Sequence, residues 1–304
     1  MPDSRNSPAD SRFTMRTRRS FLKQTVAGLA GAGIGIRPLE AAAEGRGKVR
    51  LMWVLSDAHV GRVEDGLDGA EWLAKACQDM QGIPVDHAFF LGDLTQNGTE
   101  EELKSFLAAR KDSGNHEYHR GKAEAYDKLI RSRDPYRVID GNVAWFMLSD
   151  EKPGVPGDLS EETCDWLEAE LATHADKTVI VCSHQLVRDT IHKSDHRQRH
   201  IHPSERLAEI IGKSKIDLWM CGHEHHSPYT TDRIARKEGT TYINVASVSH
   251  AYNTKASQSF VLEFAEGARE IVARRRQHDT GGQTPGPDCP EIRVPLRHAI
   301  EMEG

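Results

Sequence analysis

Short apolar runs of strand length, separated by stretches of helical period, constrain this chain more than any other feature of its sequence. Val49 to Leu55 reads as a buried strand, Ala70 to Met80 as a helix, and Ala88 to Leu91 as a short strand after the Pro84 turn. Thr99 opens a helix with Glu102 three residues on, a capping-box pattern, and Leu103, Phe106 and Leu107 form its apolar face. Val143 to Leu148 is a strand, and Ser160 caps a helix carrying Trp166, Leu167 and Leu171. Thr178 to Cys182 and Leu218 to Cys221 are strands on either side of a helix over Leu207 to Ile211. Strands at Thr241 to Val245, Phe260 to Phe264 and Ile271 to Ala273 come next. Alternation of this kind, ending in a run of strands, predicts an α/β layered sandwich. Beyond Gln277 the chain has Gly281-Gly282, prolines and no periodicity, so 277–304 is expected to be an irregular extension.

The composition narrows the function classes. No apolar stretch approaches the ~18–20 residues of a spanning helix, so no stable membrane span is expected. A formal charge of -6 argues against binding to a nucleic-acid duplex, which needs a basic face. The five cysteines, Cys77, Cys164, Cys182, Cys221 and Cys289, are odd in number and widely spaced, and no CxxC pair exists. That pattern excludes a disulfide framework and a thiolate zinc site. The unusual count is histidine, with 16 copies.

The first residues differ from the rest. Thr17-Arg18-Arg19-Ser20-Phe21-Leu22-Lys23 resembles the twin-arginine export motif, and a short Gly/Ala-rich apolar run, Val26 to Ile36, lies just after it. Ala41-Ala42-Ala43 then supplies an A-x-A cleavage pattern. The resemblance implies a signal peptide over 1–43 that is removed, the twin-arginine translocase as a partner during export, and a periplasmic or secreted protein. Removing it leaves 33 Lys/Arg against 43 Asp/Glu, a formal -10.

In α/β sheets functional residues gather beyond the carboxyl ends of strands. Here the first strand is followed by Asp57-Ala58-His59, the next by Gly92-Asp93-Leu94-Thr95-Gln96-Asn97-Gly98. Further on stand Gly114-Asn115-His116-Glu117, then Ser183-His184, then Gly222-His223-Glu224-His225. In an extended segment i and i+2 project to one side, so Asp57 and His59 are expected to share an ion. Each block alone is weak. All five in this order resemble the calcineurin-like metallophosphoesterase superfamily.

That resemblance implies two mixed β-sheets packed between helices, an α/β/β/α sandwich, with the domain spanning 44–276. It implies one metal held by Asp57, His59, Asp93 and His225, and a second held by Asp93, Asn115, His184 and His223. Asp93 would bridge the two. Asn115 and His116 would contact the phosphate, with His116 assisting the leaving group. The mixed N/O donors suit two divalent transition-metal ions, Fe, Mn or Zn, better than Ca or Mg. The implied reaction is hydrolysis of a small-molecule phosphate ester by a metal-bridging hydroxide.

Two departures refine the expectation. Purple acid phosphatases of the superfamily carry a tyrosine ligand where this chain has Gln96. The Asp-Leu-Thr-Gln-Asn-Gly block looks more like the superfamily's cyclic-nucleotide and glycerophosphodiester phosphodiesterases. A phosphodiesterase is therefore expected; a phosphomonoesterase, or a non-catalytic metal- or phosphate-binding protein, is the alternative. Only 21 residues separate Asp93 from Asn115, too few for the Thr99 helix to reach Arg110 and still return as a buried strand. Either the helix ends a turn early and Ala108 to Ser113 crosses as irregular chain, which is the favoured expectation, or Asn115 and His116 are displaced from the site. The stretch with His192, His196, His200 and His202 reads either as a solvated loop or as a rim that meets a phosphate.

Overall fold

A computed structural model of the protein describes residues 48–107, 134–148, 155, 157–279 and 291–303. In chain order its first half contains β1 (Val49–Leu55), a two-strand hairpin of β2 (Val63–Glu64) and β3 (Leu67–Asp68), α1 (Gly69–Asp79), β4 (His87–Phe90) and α2 (Glu100–Phe106). Then come β5 (Tyr136–Asp140), β6 (Val143–Met147), α3 (Glu161–Thr173), β7 (Thr178–Ser183), α4 (Ser204–Lys213) and β8 (Leu218–Cys221). The chain continues through β9 (Ile234–Lys237), β10 (Thr240–Asn244), β11 (Gln258–Ala265), β12 (Glu270–Gln277) and β13 (Ile292–Pro295).

The strands assemble into two large mixed sheets. One has the order β13-β12-β11-β1-β4, the other β5-β6-β7-β8-β10-β9. The two-residue period of a strand then sorts side chains into layers. From β1, Met52 and Val54 enter the core between the sheets, where Phe89, Trp145, Ile180, Met220 and Phe260 also lie. The alternate residues Trp53 and Leu55 face outward onto Leu73 and Ala76 of α1 and Leu103 and Phe106 of α2. From β6, Trp145 packs inward while Ala144 and Phe146 meet Leu167 and Leu171 of α3 and Leu207 and Ile210 of α4. The result is helix, sheet, sheet, helix, the expected α/β/β/α order. Inside it Trp145 is fully buried and stacks on Phe89 at 4.4 Å between ring centroids.

Local signals set the helix starts. Asp68 and Glu71 form a capping box on α1, and Thr99 and Glu102 form one on α2. α2 closes at Phe106 with Leu107 as its C-cap, a turn short of Arg110. The segment expected to cross from Ala108 to Ser113 lies outside the described residues.

The C-terminal end corrects the sequence reading. Gln277 is the last residue of β12, and β13 pairs with β12 in the register Ile271↔Val294. Val294, Leu296 and Ile300 are buried in the core between the sheets. Residues 292–295 are therefore a core strand, and the irregular chain after them still seats Leu296 and Ile300 in that core. A strand of four residues is too short to show a period in a sequence, yet an edge strand needs only one apolar face. β12 is also longer than Ile271 to Ala273: Arg274, Arg275 and Arg276 hid its continuation.

Candidate metal centre

The parallel strands β1 and β4 of one sheet, and β7, β8 and β10 of the other, bring their carboxyl ends to the site. Backbone hydrogen bonds continue past the strands. Asp57 N–H donates to Gly92 O at 2.9 Å, His59 N–H to Asp93 O at 3.0 Å, and Val60 N–H to Leu94 O at 3.1 Å. The two strand-exit loops thus run zipped together. Ser247 and Ser249 hydroxyls both donate to Asp57 O, and Gly222 N–H donates to His184 O.

Six of the sequence candidates meet there. Asp57, His59 and His225 form one group and Asp93, His184 and His223 a second; within each, one donor atom per residue lies within 4.8 Å of the others. His225 Nε2 is 2.9 Å from Asp57 Oδ1 and 3.1 Å from His59 Nε2. His223 Nδ1 is 3.2 Å from His184 Nε2. Asp93 Oδ2 stands between the groups, 3.5 Å from His59 Nε2 and 3.4 Å from His184 Nε2. Asn115 and His116 lie outside the described residues.

Asp57 and His59 do share a group, but not for the reason the i, i+2 rule supplies. Asp57, His59, Asp93 and His223 have φ of 57°, 46°, 48° and 64°, all in the left-handed region. Non-glycine residues rarely adopt it, and the strain of about 1–3 kcal/mol each is held by the surrounding hydrogen bonds. Gly222 is a glycine for a contact reason: a Cβ there would lie 2.6 Å from Asp57 Oδ2. Its absence lets His223 N–H donate to that oxygen at 3.0 Å.

The imidazoles are set up as donors to a cation. His184 Nδ1–H donates to Leu91 O at 2.9 Å, and His225 Nδ1–H to Ala251 O at 3.0 Å. A carbonyl only accepts, so the proton sits on Nδ1 and the Nε2 lone pair faces the site. Gln96 Oε1 does the same for His59 Nδ1 at 3.1 Å, while Gln96 Nε2 donates to the Tyr252 hydroxyl. The facing His59 and His225 nitrogens then have lone pairs directed at each other, an arrangement that a shared positive charge stabilises. His223 Nε2 is buried without a hydrogen-bond partner. Burial pushes the Asp57 carboxyl up, but the charge and hydrogen bond of His225 and the hydrogen bond of His59 hold it well below the usual range. Burial likewise works against protonating His225, yet Asp57 lifts its pKa above the ordinary value, so this ring favours a proton on Nε2 directed at Asp57 Oδ1, the place a bound cation would take. At His223, burial and the neighbouring His184 bring the pKa down to about 3, which keeps that ring neutral. Carboxylates and neutral imidazoles in two joined groups fit divalent metal ions.

A cavity of about 320 Å³ opens on the centre. Asp93, His223 and His225 line it from the metal groups, and Lys193, Arg199, Glu224 and Tyr252 from around them. Gln96, Tyr252 and the serines of β10's exit were not identified as site residues from sequence. Asn244 at the end of β10 donates to Gly222 O at 2.6 Å, so extending the strand-exit rule to this strand would have found that loop. His250 does not join the centre: it stacks on Trp72 and bonds Asp65 and Asp279. His226 is buried, and burial brings its pKa to about 3.

The calcineurin-like phosphoesterase profile matches residues 51–227, more than half of the chain and all five motif blocks. The chain belongs to the calcineurin-like phosphoesterase family. Among curated relatives of this calcineurin-like phosphoesterase, a probable glycerophosphodiester phosphodiesterase of Arcobacter nitrofigilis is 34% identical over 161 residues, covering 46% of this chain and 56% of the relative. A probable cyclic nucleotide phosphodiesterase of Rhodococcus erythropolis is 28% identical over 202 residues, covering 58% of this chain and 65% of the relative. The alignments thus span a little over half to just under two thirds of those relatives' lengths. Among solved structures, a purple acid phosphatase from yellow lupin seeds shares the fold with a TM-score of 0.54 at 14% identity, covering 79% of this chain and 53% of that one.

Proposed function

We propose that this protein is a dinuclear metal-dependent phosphodiesterase that acts outside the cytoplasm. The observation that carries the reading is Asp93 Oδ2 placed between two donor groups, 3.5 Å from one and 3.4 Å from the other. Asp57, His59 and His225 would hold one ion, His184 and His223 the other, and Asp93 both. Asn115, from the Gly-Asn-His-Glu block, would complete the second set. Two divalent ions held there, Fe, Mn or Zn, would lower the pKa of water and supply positive charge to the phosphate. The chain's own part is positional. The Leu91 and Ala251 carbonyls and Gln96 fix the histidine rings, His223 N–H fixes the Asp57 carboxylate, and His116 would give a proton to the leaving oxygen. Similarity to relatives named as phosphodiesterases, together with Gln96 at the position of the purple acid phosphatase tyrosine, favours diesters over monoesters.

The test is hydrolysis of bis(4-nitrophenyl) phosphate and 4-nitrophenyl phosphate before and after prolonged chelation, with Mn, Zn or Fe added back. Loss of diester turnover on chelation and its return with metal supports the reading. Full turnover in metal-free protein sinks it, and turnover of the monoester alone makes the protein a phosphatase.

Export by the twin-arginine route is part of the proposal and rests on Arg18-Arg19 followed by the short apolar run and Ala41-Ala42-Ala43. Replacing both arginines with lysine should strand the protein in the cytoplasmic fraction. Unchanged export of that variant would refute it.

A further inference from the structure

The stretch from His192 to His202 faces solvent at His192, Lys193 and Asp195 to Gln198, but its backbone is anchored. Ser194 Oγ accepts from Thr190 N–H at 2.8 Å and Ile191 N–H at 3.1 Å, and donates to Ile191 O at 2.6 Å. His200 Nδ1–H donates to Ser194 O at 2.9 Å, and Leu186 pairs with the far side of the loop through Arg199 O and Ile201 N–H. His200 and Ile201 are buried. The segment is thus tied at both ends beside the cavity.

Its charged side chains are mostly cationic: Lys193, Arg197 and Arg199 stand against Asp195 alone. Two of them converge on one buried carboxylate. Lys193 Nζ donates a hydrogen bond to Glu224 Oε2 at 2.8 Å, and Arg199 Nη1 forms an ion pair with Glu224 Oε1 at 2.9 Å without hydrogen-bond geometry. The Glu224 side chain is 3% exposed, whereas those of Lys193 and Arg199 are 47% and 43% exposed. One buried negative charge therefore holds two half-exposed positive ones, and a positive charge is left over at the cavity. Lys193 has φ 64°, a conformation unfavourable for a lysine that the loop nonetheless maintains. Glu224 also lies between His223 and His225 in sequence, so the two cations are fixed relative to the metal centre.

We propose that Lys193 and Arg199, held by Glu224, bind a second anionic group, a carboxylate or phosphate, on a phosphate ester seated over the metal centre. Long cationic side chains ordinarily lose rotamer freedom when they bind an anion; here Glu224 has already restricted them. Arg199 offers a planar fork suited to either anion. The reacting phosphorus would sit at the metal groups, and the second anion would meet the surplus charge at the cavity wall. The inference rests on the phosphodiesterase reading and adds the class of ester: one whose organic part is itself anionic.

The experiment compares binding of propylphosphonate and 3-phosphonopropionate to manganese-loaded wild-type protein by calorimetry. The two ligands differ by a terminal carboxylate. The expected result is roughly tenfold tighter binding of 3-phosphonopropionate at low salt, shrinking as salt rises. In Lys193→Met/Arg199→Met the difference between the ligands should collapse to about twofold or less, and in Lys193→Arg it should persist. Equal affinities in the wild type, binding of neither ligand, or a preference that survives in the double variant would each overturn the proposal. Turnover of bis(4-nitrophenyl) phosphate by the same wild-type preparation keeps the two readings apart. Turnover without the binding preference removes the anion site alone. The preference without turnover removes the hydrolase reading and leaves the anion site standing.

Discussion

At the scale of single residues, Asp93 joins the two halves of the centre, since one of its oxygens approaches a histidine of each donor group. Asp93→Asn removes the charge both ions would share. The expected outcome is loss of bound metal from both positions, read as metal per protein after gel filtration, together with loss of diester turnover. A variant that keeps two ions would show that Asp93 does not bridge. His116 makes a contrasting case. His116→Ala should lower turnover by roughly 10²–10⁴-fold, the usual contribution of a general acid, and leave metal content unchanged. Loss of metal from His116→Ala would instead make it a ligand. Gln96 shows how a side chain acquires meaning only in place. It accepts from His59 Nδ1 and donates to Tyr252, fixing a ring of the first donor group.

At the scale of elements, the least expected is β13. Val294 is fully buried against the inter-sheet core, and Leu296 and Ile300 come after it there. Val294→Ala should therefore cost roughly 2 kcal/mol in denaturant unfolding, from lost transfer free energy and the cavity left behind. A cost below about 0.5 kcal/mol, the level of a surface substitution, would mean that the strand does not belong to the core. β7 and β8 show the opposite case. They are buried along their whole length, read as continuous apolar runs, and lie where the sequence placed them. A strand buried on both faces is visible in composition; a four-residue edge strand buried on one face is not.

At the scale of the whole molecule, the helix and sheet layers are tied by groups far apart in sequence. Asp79, the last residue of α1, accepts from Arg276 Nη2 at 2.7 Å and from His278 Nδ1 at 2.7 Å. Burial pushes the Asp79 carboxyl up, but these hydrogen bonds and charges bring it below its ordinary value. The unfolded chain then holds the proton more tightly than the native one. The stabilisation is full above about pH 4 and is lost as pH falls through the depressed native pKa. Asp79→Asn should lower stability at neutral pH and flatten the acid limb of the stability profile relative to wild type. An acid limb unchanged in the variant would show that these bonds of Asp79 do not tie the layers. What the sequence determined by itself was local and periodic. It carried the buried central strands, the capping box at Thr99, the Ser160 cap before α3, and the order of the Asp, Asn and His blocks. Apart from the block order, those depend on neighbours within a few residues. What only the tertiary structure decided was how loops from two sheets close on each other. The left-handed backbone of Asp57, His59, Asp93 and His223, the hydrogen bonds that fix each ring, and the Glu224 hold on Lys193 and Arg199 all join residues tens to hundreds of positions apart. Such contacts leave no periodic trace in a single chain, because the partner that stabilises each conformation is not its neighbour in sequence.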